Sequence, residues 1–85
     1  MATYYFHLCD GVDVLLDPDG RELDGESVAE AALTEARAII AADVRGGHIH
    51  LDQDIEVHDA AGKMVHRLAF EDAIKVTHLA VRNRH

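Results

Sequence analysis

Eighty-five residues suffice for one domain with a small core and leave no room for a second packed domain. The 48% apolar content, with one proline and no low-complexity run, speaks against disorder. A formal charge of −8 deprives the body of the basic face that phosphate binding needs, which disfavours nucleic acid, and no apolar run approaches the ~20 residues of a membrane span.

Thr3 to Cys9 alternates, with Tyr4, Phe6 and Leu8 on one side and Tyr5, His7 and Cys9 on the other, as a strand does. Asp10-Gly11 is turn chemistry, and Val12 to Leu16 reads as a second, antiparallel strand. Asp17-Pro18-Asp19-Gly20 has proline early and glycine late, the order a tight turn prefers. Arg21 to Leu23 then forms a short extension.

A long amphipathic helix is expected from Asp24 to Gly47. Asp24 or Ser27 is the expected N-cap, Ser27 and Glu30 have the spacing of a capping box, and Val28, Ala32, Leu33, Ala36, Ile39, Ile40 and Val44 form one stripe. Gly46 and Gly47 supply the left-handed backbone that commonly ends a helix. His48 to Gln53 is a connection, with Ile49 and Leu51 tucked under the sheet. Asp54 to Asp59 and Met64 to Phe70 form a hairpin in which Gly62 takes a positive φ. Pairing Asp59 with Met64 sets Ile55 opposite Leu68, Val57 opposite His66 and Glu56 opposite Arg67. Acidic residues at Glu71 and Asp72 suit the first turn of a short second helix running to Val81.

The fold expected is α+β: a small two-layer antiparallel sheet in ββαββ order on one long helix, with a short C-terminal helix. Residues 1–75 make the domain. Residues 76–85 make a basic C-terminal tail, since Lys75, Arg82 and Arg84 are met by no acid after Asp72, whereas residues 10–35 hold nine acids against Arg21 alone. A single cysteine, Cys9, and the lack of a signal-peptide pattern point to a cytoplasmic protein.

The opening Tyr4-Tyr5-Phe6-His7-Leu8 with Asp10-Gly11, the Asp-Pro-Asp-Gly turn with Glu22-Leu23, the alanine-rich helix, and Ile55-Glu56-Val57 through Asp59 and Gly62 to Leu68 and Phe70 resemble a bacterial domain of unknown function, family 6894. The likeness covers residues 3 to 74. It implies a single domain of ββαββ order and assigns no activity. His66 stands where that family usually shows an apolar residue, which implies a wetter core edge.

Seven histidines are the compositional oddity. His48 and His50 alternate on an extended segment and are the pair best suited to a metal ion, with His7 as an additional donor, although no CxxC or HExxH accompanies them. Asp17, Asp19 and Asp24 lack the framework of a calcium loop and read as turn residues. Cys9 and His7 share a strand face about 7 Å apart at Cα, without an oxyanion site or pocket. Neither catalysis nor a cofactor is expected.

One helix covers one face of the sheet, while both faces of the first strand carry aromatic or apolar groups. A second copy packed on the open face would cover the remainder. The expected function is therefore a binding or regulatory module acting as a homodimer, or through another protein partner. The alternative is a histidine-based metal- or small-ligand-binding protein.

Overall fold

The computed structural model describes residues 1–77. Its elements are strands β1 (Ala2–Cys9), β2 (Val14–Leu15) and β3 (Arg21–Leu23), helix α1 (Val28–Arg45), and strands β4 (Asp54–His58) and β5 (Met64–Ala69). All pairings are antiparallel: β1 and β4 are central, β5 forms one edge, and β2 and β3 share the other. The fold is α+β, a sheet on one long helix, with Arg21 to Leu23 promoted from an extension to a strand along Ala2 to Tyr4.

Between β2 and β3 the edge of β1 would be left without a partner at Phe6. Asp17 fills the gap: its Oδ2 accepts the Phe6 N–H at 3.1 Å, and its Oδ1 accepts the N–H groups of Asp19 and Gly20. One carboxylate thus stands in for a stretch of strand and closes its own turn.

The stripe on α1 faces the sheet as its period requires. Val28, Ala32, Ala36 and Ile40 are buried with Phe6, Ile55, Val57, Phe70 and Ala73, while Leu33 and Ile39 pack at the flanks. Alanines at the first two inner turns allow close approach, and Val44 is half exposed. The capping box does not form. Gly25–Ser27 make a 3-10 turn, Ser27 itself is in the right-handed helical region, and its hydroxyl makes no cap bond; an N-cap side chain reaches forward only from extended backbone. At the other end only Gly47 is left-handed, at φ 87°. The Gly47 N–H donates to the Val44 carbonyl and the His48 N–H to that of Asp43, a Schellman pair in which Gly46 keeps a negative φ.

In the β4–β5 hairpin the pairings Ile55–Leu68, Glu56–Arg67 and Val57–His66 hold, but a bulge after Val57 places Met64 opposite His58 instead of Asp59. Asp59 leaves the ladder because the turn uses it: its Oδ1 accepts the Ala61 and Lys63 N–H groups. Leu51 packs against the core as expected, whereas Ile49 is 46% exposed. The short helix expected from Glu71 to Val81 is reduced to a 3-10 turn, Phe70–Asp72, without helix through Thr77; the remainder lies outside the described residues. Two causes combine: Val76 and Thr77 disfavour helix, and the Ala73 carbonyl accepts the Arg37 Nε–H at 2.8 Å.

Candidate functional site

Three groups of side chains stand outside the core. The first is the predicted histidine pair. His48 and His50 follow the Schellman turn, and their rings stack with centroids 4.0 Å apart and planes 29° from parallel. His50 Nδ1 lies 3.6 Å from Asp43 Oδ2. The pair is brought together, but stacked rings send their in-plane lone pairs alongside each other, a poor arrangement for convergence on one ion.

The second group lies on the sheet face away from α1. Antiparallel register places Cys9 opposite Asp54, His7 opposite Glu56 and Tyr5 opposite His58, with Arg67 across from Glu56. The open face is therefore polar through β4, not the apolar surface that β1 alone suggests. Donor atoms of Cys9, Asp54 and Glu56 all lie within 4.8 Å of one another, the one such grouping among the described residues. Asp54 Oδ1 is buried without a hydrogen-bond partner, while Oδ2 accepts from Arg67. Burial pushes the Cys9 thiol up, and the Glu56 and Asp54 charges push it further. The thiol is thereby held protonated, the opposite of an activated nucleophile.

The histidines on this face are committed to neighbours. His7 Nδ1 accepts the Asp17 N–H at 3.0 Å, so a neutral His7 carries its proton on Nε2. His58 lies between Gly62 O and Glu56 Oε1, at 3.2 and 3.3 Å from its two ring nitrogens, and meets the His7 ring edge-on at 4.8 Å. Alternation in two strands was the signal for this cluster; it becomes visible only once β1 is paired with β4.

The third group is apolar. Val12, Val14, Leu15 and Leu16 are 89%, 55%, 69% and 65% exposed, four large side chains within five residues at a sheet edge. Leu15 and Leu16 line a cleft of about 290 Å³ between β2 and α1, with Phe6, Leu8, Pro18, Ile39 and Ile55 in its other walls, whereas Val14, opposite Cys9, projects to the other face of the sheet. Arg21 stands at one side, its guanidinium 4.4 Å over the Phe6 ring and 3.1 Å from Glu35 Oε1. Around the ribbon stand Asp10, Asp13, Asp17 and Asp19, with no basic residue among residues 10–20. Asp10 is held below the usual carboxylate range chiefly by the N–H groups of Asp13 and Val12. For Asp17, burial works upward, but the Phe6, Gly20 and Asp19 N–H groups and the Arg21 charge outweigh it and leave it lowered.

No described helix is long and apolar enough to cross a membrane. Residues 3–71 match the model of a family described as a domain of unknown function, DUF6894, and the chain belongs to that family. Neither the curated proteins nor the solved structures contain a match.

Proposed function

We propose that this DUF6894 domain is a non-catalytic binding module whose contact surface is the β2 ribbon and the cleft beneath it. The exposure of Leu15 and Leu16 at the mouth of an apolar cleft carries the reading. Single exposed apolar residues are ordinary, but two neighbouring exposed leucines that line an apolar cleft are a feature of interaction surfaces. At about 290 Å³ the cleft matches the scale of a few inserted side chains. A photo-crosslinking amino acid at Leu16, compared with one at exposed Glu30, tests the site in living cells. Polypeptide adducts specific to Leu16 are expected, and an adduct with a second copy would identify the homodimer. Equal or absent crosslinking at the two positions overturns the reading.

A second reading, binding of a divalent metal ion, draws support from the unpartnered Asp54 Oδ1 beside Cys9 and Glu56. A thiol and two carboxylates suit a zinc-class ion better than calcium or magnesium. His48 and His50 remain the rival pair. Equilibrium dialysis against zinc separates them: uptake lost in Cys9→Ser favours the sheet face, uptake lost in His48→Ala favours the stacked pair, and no uptake at micromolar zinc removes the metal reading.

A further inference from the structure

We infer that the occupant of the β2 ribbon is a cationic amphipathic segment of another polypeptide, one that presents bulky apolar side chains to the cleft and lysine or arginine to its rim. This rests on the binding role proposed above and names the partner's chemistry.

Charge complementarity selects the occupant. The cleft floor is apolar, from Phe6, Leu8, Ile39 and Ile55, so the part that enters must be apolar too. Of the nearby aspartates, Asp17 lines the cleft beside Leu15 and Leu16, and Asp10, Asp13 and Asp19 stand in the segments that flank β2. Asp10 and Asp17 are fixed as anions by backbone N–H groups, so neither gives up its charge on contact with a neutral surface. Arg21, which lines the cleft, is already engaged by Glu35 and the Phe6 ring. A neutral apolar partner seated in the cleft would leave Asp17 facing apolar surface, whereas lysine or arginine at the rim would pair with it.

The same charges weigh against other occupants. A second copy docked ribbon to ribbon across a two-fold axis would bring two sets of four aspartates together. Anionic lipid and nucleic acid meet a chain of net charge −8 whose residues 10–20 carry only negative charge. An approaching cation instead gains from the field of the whole lip, which speeds encounter at low salt.

The test uses the full chain and three octapeptide probes: alternating leucine and lysine, alternating leucine and serine, and alternating serine and lysine. Fluorescence anisotropy reads their affinity at low and physiological ionic strength. The leucine–lysine peptide is expected to bind at least about tenfold tighter than either of the others, a difference near 1.4 kcal/mol. Leu15→Ser combined with Leu16→Ser should remove that advantage. Asp13→Asn with Asp19→Asn should weaken the leucine–lysine peptide and flatten its salt dependence, because neither side chain is used in the turn hydrogen bonds. Glu26→Gln with Glu30→Gln removes equal charge at the start of α1 and should do neither. Equal binding of the leucine–lysine and leucine–serine peptides overturns the cationic partner while leaving the apolar surface standing. Equal binding of the two lysine peptides, or none by any probe, overturns both. A dimer in sedimentation that the leucine–lysine peptide fails to dissociate overturns the inference in favour of a second copy.

Discussion

Asp17 shows how one side chain can hold an edge together. It closes its own turn, supplies an acceptor to β1 where β2 has ended and β3 has not begun, and takes a third contact through its N–H to His7. Its carboxyl is held below its ordinary value of 3.8, so the unfolded chain binds the proton more readily than the folded one. The stability this contributes is full above that value and is lost as pH falls through the lower folded pKa. Asp17→Asn should therefore lower the urea midpoint at pH 7, and its deficit relative to wild type should shrink toward pH 3. A deficit that stays constant over that range would sink this account. Three residues on, Gly20 has φ 70°, and a Cβ there would lie 2.9 Å from both Thr3 Cγ2 and Tyr5 Cε2. Gly11 is also left-handed but open to solvent. Gly20→Ala should then cost on the order of 2–3 kcal/mol against about 1 kcal/mol for Gly11→Ala, measured by chemical denaturation. The Asp-Pro-Asp-Gly run announced a turn in the sequence; that its first aspartate would reach back to Phe6 could not be read there, because the bond spans eleven residues.

At the scale of elements, the helix was the most legible part because its information is local. Its stripe follows from one period and its stop from a pair of glycines, and Val28, Ala32, Ala36 and Ile40 are indeed inside. Ile40→Asp should unfold the domain, a loss exceeding about 4 kcal/mol from an unpaired charge in the core. A variant that keeps its cooperative thermal transition would place the stripe elsewhere. The misread ends share a cause: each depends on a competing bond. Ser27 loses its cap role to a preceding 3-10 turn, Asp59 leaves the ladder to close its hairpin, and the Ala73 carbonyl is taken by Arg37. The open face was misjudged for a different reason. Tyr5 and Cys9 looked like an unsatisfied apolar surface until β4 placed Asp54, Glu56 and His58 beside them and His7. Pairing between strands separated by a helix sets the chemistry of that face, and periodicity within a strand says nothing about which strand lies next to it.

For the whole molecule, the residues that stabilise the fold and those proposed to make contacts occupy different places. Phe70, Ile55 and Val57 are the largest side chains fully enclosed between α1 and the sheet, and the Phe70 N–H is tied to the Gln53 carbonyl at 2.9 Å. Leu15 and Leu16 sit mostly in water, so folding gains little from them. This separation yields a contrast that no shared role would produce. Phe70→Ala should cost about 3–5 kcal/mol, a large part of the stability of so small a domain. Leu15→Ser with Leu16→Ser should shift stability by no more than about 1 kcal/mol, because those side chains are already solvated. Urea denaturation of the two variants beside wild type reads both values. A loss in the double serine variant approaching that of Phe70→Ala would mean that the ribbon serves as core for this chain, and the binding role would fall with it. Stability near wild type leaves two solvated leucines that folding does not require, set over a cleft whose floor is already built.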